Sequence, residues 1–272
     1  MTEKENIELI MLGTGNAMAV KCYNTCFAVR KGKEYFLVDA GGGNGIFRQL
    51  KEARIPVEAI HEMFITHAHT DHILGMVWMV RKIAALIISG KYQGSCTIYC
   101  HKEAGEALVS ICRLTLAEKF LKWIGERILI QEVEDGDKAE VLSMPVCFFD
   151  IGSTKMKQFG FQMEIEGKKL TCLGDEPFHG KTEAYVKGSD YLLCEAFCLD
   201  ADKEIFKPYE KHHSTALDAG RLAQELSVKT LLLYHTEDSD LAERKAAYSR
   251  EAKQNFEGKV YVPDDLEVIE IA

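Results

Sequence analysis

Three histidines and one aspartate stand within the short run THAHTDH, at His67, His69, Asp71 and His72. Two histidines two positions apart on an extended segment, followed by an Asp-His pair at a turn, can direct imidazole and carboxylate groups onto neighbouring metal ions. The alternative is a polar surface loop, but this pattern rarely arises by chance. The spacing therefore predicts a metal centre, and metal centres of this composition support hydrolysis.

The elements around this run place it at the carboxyl end of a strand. The apolar segment EMFI leads into it, and a helical pattern starts at Ile73. That end of a strand is where α/β sheets place their ligands. Two later residues occupy the same kind of position, since Asp175 ends KLTCLGD and His235 ends TLLLYH. Taken singly, each is equally consistent with an ordinary turn residue. As metal ligands, Asp175 could bridge two cations and His235 could add an imidazole.

Eight segments, in this order, resemble the motifs of the metallo-β-lactamase superfamily, and most closely those of its ribonuclease Z branch, over essentially the whole length. The segments are MLGTGNA, FLVDAGGG, FITHAHTDHILG, QFGFQ, LGDEP, CEAF, HHSTALDAGRLA and LLYHTED. The resemblance implies an α/β fold of the αββα sandwich type, with two mixed sheets flanked by helices and a dinuclear site, normally zinc, at one edge. Strands and helices alternate in two halves without a Pro- or Ser-rich linker, which favours a single domain over residues 1–272.

The resemblance also implies a division of the metal ligands between two sites. The ligands would be His67 and His69 at the first metal, Asp71, His72 and His235 at the second, and Asp175 between the two. A hydroxide held between two cations about 3.5–4 Å apart is a strong nucleophile at neutral pH. Asp71 would orient that hydroxide and so would also be a catalytic residue.

The ribonuclease Z branch carries a further histidine that is not a ligand, backed by a glutamate. His213 in HHSTA and Glu195 in CEAF match these two residues. A histidine held by a carboxylate can donate a proton to the leaving oxygen. The alternative for His213 is a residue at a helix start, beside a Ser214 and Thr215 cap. His212 is a weaker candidate, and the other histidines are expected at the surface: His61, His101 and His179.

The chain departs from the branch at the first metal. The branch has another histidine ligand shortly before the FG pair that matches Phe159 and Gly160, whereas the segment FFDIGSTKMKQFG contains none. Gly152 is the expected position of the missing imidazole. Either Asp150 substitutes for it, or water fills the place, or the first metal is weak. Fewer nitrogen donors would favour harder ions such as manganese or iron. We therefore predict fuller occupancy at the second site, formed by Asp71, His72, Asp175 and His235.

A second departure concerns the substrate. Ribonuclease Z inserts a long arm for tRNA between its FG and GD motifs, but only QMEIEGKKLTCL separates Gly160 from Gly174, which predicts a single hairpin. The net charge of −9 argues against a grip on RNA through its phosphates. We expect phosphodiester hydrolysis of a small phosphate ester or a short nucleic acid. One alternative is a tRNA 3′-processing ribonuclease Z whose tRNA-binding contacts are supplied from elsewhere than an arm. The other is a degenerate metal-binding sensor or interaction protein.

The remaining features predict a cytoplasmic protein that does not enter a membrane. The N-terminal segment MTEKENIELIMLG has no basic region ahead of an apolar one, as a secretory signal would. The longest apolar stretch, residues 76–88, is interrupted by Arg81 and Lys82. Nine scattered cysteines are expected to be reduced and mostly buried. Because relatives in this branch commonly pair, we expect a homodimer.

Overall fold

A computed structural model describes residues 6–272 of the chain. Within those residues, fourteen strands and eight α-helices follow one another. The strands are β1 (Ile7–Gly13), β2 (Cys26–Lys31), β3 (Glu34–Val38), β4 (Ile60–Ile65), β5 (Cys96–Cys100), β6 (Ile128–Glu132), β7 (Lys138–Val141), β8 (Met144–Asp150), β9 (Phe159–Ile165), β10 (Lys168–Cys172), β11 (Tyr191–Glu195), β12 (Thr230–Tyr234), β13 (Lys259–Tyr261) and β14 (Val268–Glu270). The helices are α1 (Ile46–Glu52), α2 (Thr70–Ile88), α3 (Lys102–Thr115), α4 (Glu118–Leu121), α5 (Glu183–Val186), α6 (Lys203–Phe206), α7 (Ala216–Glu225) and α8 (Leu241–Ala252).

The strands form two mixed sheets of seven strands each. The first sheet has the order β14-β1-β2-β3-β4-β5-β6, antiparallel from β14 to β3 and parallel from β3 to β6. The second has the order β13-β12-β11-β10-β9-β8-β7, parallel from β13 to β10 and antiparallel from β10 to β7. The parallel part of each sheet thus places several strand carboxyl ends at one edge.

The two sheets pack face to face, and alternation along the strands fills three apolar layers. Leu9 and Met11 of β1 belong to the layer between the sheets, whereas Ile10 belongs to the layer under α2 and α3. This alternation follows from the two-residue period of a strand. A third layer lies between the second sheet and the helices α7 and α8. Because both faces of the central strands are covered, these strands are continuous apolar runs in the sequence. The predicted αββα sandwich is confirmed.

Two details complete the architecture. The helical stretch from Lys102 to Leu121 is divided into α3 and α4, because Leu116 and Ala117 have extended backbones between them. The last two strands join different sheets, since β13 pairs with β12 and β14 pairs with β1. The closing segment therefore links the two sheets instead of forming a hairpin.

All nine cysteines are free thiols, and seven of them are buried. None of the helices formed by the described residues has the length and apolar character needed to cross a bilayer.

Candidate metal centre

Ends of strands from both sheets bring the predicted ligands together. In the second sheet, Asp175 follows β10, Glu195 is the last residue of β11, and His235 follows β12 directly. These three strands are parallel neighbours, so their carboxyl ends share one edge. From the first sheet, β4 ends just before Thr66 and His67. Nε2 of His67 lies 3.6 Å from Oδ2 of Asp175, so the two sheets meet at the ligands.

Helix α2 supplies the rest of the THAHTDH run. His69 precedes its first residue with an extended backbone, and Asp71 and His72 lie in its first turn. Consecutive helical residues point in different directions, yet Oδ2 of Asp71 and Nε2 of His72 are 3.3 Å apart. His69 contacts His67 instead, because its Nδ1 lies 2.8 Å from Nε2 of His67. The run thus divides into two pairs, as the resemblance implies.

Three groups of side chains have ligand atoms within 4.8 Å of one another. The groups are His67, His69 and Asp175; Asp71, His72 and His235; and Asp175, His213 and His235. Oδ2 of Asp175 is central, because it lies 3.7 Å from Nε2 of His72 and 3.5 Å from Nε2 of His235, besides its contact with the first group. This is the arrangement expected of a carboxylate that bridges two cations.

Behind the ligands, a buried carboxylate and a hydroxyl fix the orientation of two imidazoles. Oδ2 of Asp39 is 2.8 Å from Nδ1 of His72 and accepts a hydrogen bond of 2.7 Å from Oγ1 of Thr66. Since that hydroxyl has only one proton, it must accept from Nδ1 of His67, which is 2.9 Å away. Nε2 of His67 and Nε2 of His72 therefore both face the ligand cluster. Such outer contacts set the tautomer and basicity of metal-binding histidines.

The protonation of these groups suits metal binding. Burial lowers the pKa of His67 well below its usual value and also lowers the pKa of His69, so both imidazoles are neutral. Burial would raise the pKa of Asp71, but His72 and His235 lower it below the usual range. Burial would likewise raise the pKa of Asp175, but His67 and His235 lower it. His67 and His69 therefore offer neutral imidazoles, and Asp71 and Asp175 offer ionised carboxylates.

His72 differs from its neighbours because two carboxylates flank it. Burial alone would lower its pKa, but Asp71 and Asp39 raise the pKa well above the usual value. If His72 binds a metal ion, it would first have to lose this proton, so metal affinity would depend on pH.

Several atoms of the cluster are buried and find no hydrogen-bond partner among residues 6–272. They are Nε2 of His72, Oδ1 of Asp175, and Nδ1 and Nε2 of His235. A buried polar atom left without a partner costs free energy. Because these atoms converge on one small region and have the donor types that divalent transition metals prefer, the residues present fit a metal centre.

His213 and Glu195 lie together beside the cluster. Oε2 of Glu195 is 3.6 Å from Nδ1 of His213, while Oε1 accepts hydrogen bonds from the backbone and hydroxyl of Ser214, at 2.6 and 2.7 Å. The ring of His213 stacks on Phe197, at 4.8 Å and 6°. Its centroid is 5.2 Å from that of His235. The imidazole is thus held at the border of the cluster, and Thr215, not His213, caps α7.

A family model described as Anti-Pycsar protein Apyc1 matches residues 7–249, which is most of the chain. The chain belongs to the Apyc1 family. It is also similar to ribonuclease Z of Streptococcus mutans serotype c, with 25% identity over 317 aligned residues that cover 97% of this chain and 100% of the relative.

Among solved structures, the metallo-β-lactamase fold protein YhfI from Bacillus subtilis superimposes with a TM-score of 0.77 at 17% identity, covering 98% of this chain and 100% of YhfI. A diphosphatase from the PhnP family gives a TM-score of 0.73 at 17% identity and covers 98% of both chains. The predicted metallo-β-lactamase fold and the predicted resemblance to ribonuclease Z are confirmed, and these similarities support a metal-dependent hydrolase.

In this Apyc1-family chain, the segment between the FG and GD motifs is a single hairpin. Strands β9 and β10 pair antiparallel from Ile165 and Lys168 to Phe161 and Cys172. Only Glu166 and Gly167 connect them. The tRNA arm of ribonuclease Z has no counterpart between these strands, as the sequence predicts.

The place of the missing imidazole also has a defined structure. A Cβ atom on Gly152 would lie 3.7 Å from Cβ of His179, whose Nε2 is 3.7 Å from Oε2 of Glu176. Oδ1 of Asp150 accepts a hydrogen bond of 2.8 Å from the backbone of Gly152. Of the described residues, neither Asp150 nor His179 belongs to any of the three ligand groups. The structure thus uses Asp150 to close a local turn and does not bring it to the other ligands.

Sequence reasoning missed three residues around the cluster and misjudged a fourth. Asp39 ends a strand and enters a glycine-rich turn, as Asp175 does, and this signal could have identified it. Lys155 and Glu176 carry no metal-binding motif, and no local sequence signal distinguishes them. His101, expected at the surface, is fully buried, because its Nδ1 accepts from the backbone of Ala104 at the start of α3.

Proposed function

We propose that this protein hydrolyses a phosphodiester bond in a small or short phosphate ester. The observation that carries the proposal is His213, which lies beside the ligand cluster with Glu195 at its far nitrogen. Nε2 of His213 is the nitrogen left to face a substrate, and from there it can donate a proton to the leaving oxygen. Asp71, in the first turn of α2, would orient the attacking water.

The metal would be held by the residues already named, as two ions per chain. The first site would use His67 and His69, the second Asp71, His72 and His235, and Asp175 would bridge them. When bound, divalent ions lower the pKa of water and stabilise negative charge on the attacked phosphate. Zinc is our first choice, with manganese or iron as alternatives. Asp150 would become a ligand only if the turn that it closes onto Gly152 opened.

The occupancy of the two sites tests this assignment. His69 is only partly buried and the first group has three members, whereas the second group is fully buried and also contacts Asp175. We expect metal analysis of protein purified without chelator to give close to one ion per chain, bound at the second site. The first site should fill only when metal is added. Two tightly bound zinc ions per chain would contradict unequal occupancy. Asp150→Asn should leave the titration unchanged, and a weaker first site in that variant would make Asp150 a ligand.

The small substrate follows from the single hairpin and the acidic balance of the chain. Several similar proteins carry the name ribonuclease Z, so tRNA 3′ processing is the second candidate. Only a two-residue turn joins β9 to β10, so residues 6–272 form no arm there that would hold a folded tRNA, and the net charge of −9 disfavours binding through tRNA phosphates. Short single-stranded oligonucleotides, dinucleotides and cyclic nucleotides remain compatible substrates.

A substrate panel tests the proposal. Protein loaded with zinc or manganese is assayed on bis(4-nitrophenyl) phosphate, a dinucleotide, a 3′,5′-cyclic nucleotide and a precursor tRNA, with Asp71→Ala as the control. We expect turnover of one or more small diesters that is lost in Asp71→Ala. Cleavage of the tRNA trailer at low enzyme concentration would favour ribonuclease Z proper. If no metal raises the activity above that of Asp71→Ala, the protein is a metal-binding sensor or interaction protein.

The proposal also covers the location, domain organisation and oligomeric state of the protein. We infer a cytoplasmic, single-domain protein that forms a homodimer, as relatives in this branch commonly do. Sedimentation equilibrium should then give about twice the chain mass of 30.6 kDa. A monomer at micromolar concentration would contradict the dimer without affecting the proposed reaction.

A further inference from the structure

Lys155 lies in the segment that replaces the missing histidine ligand. Its Nζ is 3.4 Å from Nε2 of His213, the imidazole placed beside the metal cluster. The lysine therefore lies directly beside the proposed proton donor.

The segment that carries Lys155 is anchored by a fully buried carboxylate. Oε1 of Glu176 accepts a hydrogen bond of 2.7 Å from Oγ of Ser153 and one of 3.4 Å from Nε2 of Gln158. Oε2 of the same residue accepts from the backbone of Thr154 at 3.3 Å. Glu176 is 0% exposed, and its contacts anchor residues on both sides of Lys155.

Two further contacts restrict the segment. The backbone of Lys155 donates to Oγ of Ser153 at 3.3 Å. Oγ1 of Thr154 lies 2.6 Å from Nδ1 of His212, the residue just before His213. The lysine backbone is thus fixed relative to the proposed catalytic histidine, although its side chain reaches into solvent.

The charge of Lys155 has no counterpart within the described part of the chain. Its Nζ forms no ion pair with any carboxylate of residues 6–272, although the protein carries a net charge of −9. An isolated ammonium beside a phosphate site suits an anionic ligand, because lysine acts as a compact point charge toward phosphate. When a phosphodiester is attacked, negative charge accumulates on its non-bridging oxygens, and a nearby cation stabilises that charge.

We propose that Lys155 binds a non-bridging oxygen of the substrate phosphate, next to Nε2 of His213. This inference rests on the proposed phosphodiester hydrolysis. Glu176 is then a positioning residue, because it acts only through the backbone of the segment. The lysine supplies positive charge on the side of the centre where the chain lacks a histidine ligand.

The experiment compares Lys155→Ala with Lys155→Arg and with the control Lys157→Ala. Lys157 is exposed two residues further on, and its Nζ lies 5.3 Å from the ring of Phe159. With bis(4-nitrophenyl) phosphate and manganese, we expect Lys155→Ala to lower kcat/KM about 100-fold, mostly in kcat, as loss of one donor to a developing charge does. Lys155→Arg should keep most of the activity. Lys157→Ala should stay within about twofold, since a distant exposed charge is screened by solvent.

Glu176 adds a test of positioning. Glu176→Gln should lower kcat/KM in the wild-type background and have little further effect when Lys155 is already alanine, because two residues that act as a unit are not additive. Circular dichroism and thermal unfolding show whether this buried variant folds. If Glu176→Gln does not fold, the comparison of Lys155→Ala with Lys157→Ala still tests the role of Lys155.

Binding of inorganic phosphate separates this inference from the proposed function. Calorimetry on manganese-loaded protein should show phosphate binding that weakens about tenfold in Lys155→Ala and is unchanged in Lys157→Ala, in line with loss of a charge-assisted hydrogen bond. If the wild type hydrolyses no diester, the proposed function fails. The phosphate-binding measurement alone then tests whether Lys155 binds phosphate. Equal phosphate affinity in wild type and Lys155→Ala, or equal activity of Lys155→Ala and Lys157→Ala, would overturn the inference.

Discussion

Nδ1 of His72 lies 2.8 Å from Oδ2 of Asp39, and both side chains are buried. Asp39 has a φ of 53°, in the left-handed region that aspartate and asparagine tolerate better than most residues. The turn therefore aims the carboxylate at the back of the imidazole. Since Oδ2 also accepts from Thr66, one oxygen atom organises the ends of β3 and β4.

Asp39→Asn should weaken metal binding at the second site. The asparagine oxygen can still accept from Nδ1 of His72 and its backbone tolerates the same φ, but the negative charge that raises imidazole basicity is lost. Loss of such an outer partner typically lowers metal affinity about 10- to 100-fold. Competition with a metal chelator measures the effect, and Asp190→Asn, whose carboxylate pairs with the exposed Lys229, is the control. An unchanged affinity in Asp39→Asn would show that Asp39 only shapes the turn.

His213→Ala should cost most on substrates with poor leaving groups. An alkoxide needs a proton as it departs, whereas 4-nitrophenolate leaves without one, so removal of a general acid affects the two unequally. We expect a loss in kcat of about 100-fold or more on a dinucleotide, in the range of general acid catalysis, and a much smaller one on bis(4-nitrophenyl) phosphate. His212→Ala, the neighbouring change, should show the same loss on both substrates. An equal loss on both for His213→Ala would rule out proton donation.

The proximity of the candidate ligands could be predicted from the sequence for a physical reason. His67, His69, Asp71 and His72 are local to one strand end and helix start, so their spacing in the sequence keeps them close together. Asp175 and His235 required one added assumption, that carboxyl ends of parallel strands share an edge, and β10 to β12 meet it.

Contacts between distant segments could not be predicted in this way. The approach of Lys155 to His213 joins residues 58 positions apart and depends on how Glu176 folds the intervening segment. Neither residue type nor local period reports such a contact. The pairing of β14 with β1 could not be predicted for the same reason. It depends on the packing of the two sheets and not on local turn residues.

His101 should make the stability of the protein depend on pH. Burial lowers its pKa, and the unfolded chain restores the ordinary value near 6.5. Between the two pKa values the unfolded state binds more protons, so the free energy of unfolding falls as pH drops below about 6.5. Above that pH the contribution is fully present.

His101→Asn isolates this contribution, because asparagine also accepts a hydrogen bond at the start of a helix. Urea unfolding in the presence of chelator, at pH 7.5 and 5.5, should show a smaller loss of stability on acidification for the variant than for the wild type. The metal ligands titrate in both proteins and cancel in the difference. Identical losses in the two proteins would mean that His101 binds its proton equally well when folded.

Gly75→Ala should destabilise the fold although alanine is the better helix former. A Cβ atom at Gly75, in α2, would lie 1.8 Å from the carbonyl oxygen of Ala40, which is backbone and cannot rotate away. Replacing glycine by alanine inside a helix stabilises the helix by about 1 kcal/mol, whereas forcing extra atoms into a packed region costs about 1–3 kcal/mol or more. Ala40 follows Asp39 directly, so the displacement should also weaken metal binding.

Gly105→Ala in α3 is the matched control. Its Cβ would meet only the side chains of Cys100 and Ile130, each at 3.1 Å, and those can move by the small distance required. We expect urea unfolding to place Gly105→Ala within about 1 kcal/mol of the wild type, since the helix gain offsets the tight contact. Gly75→Ala should be clearly less stable than both. If Gly75→Ala were as stable as Gly105→Ala, the close approach of α2 to the turn after β3 would not be required for the fold.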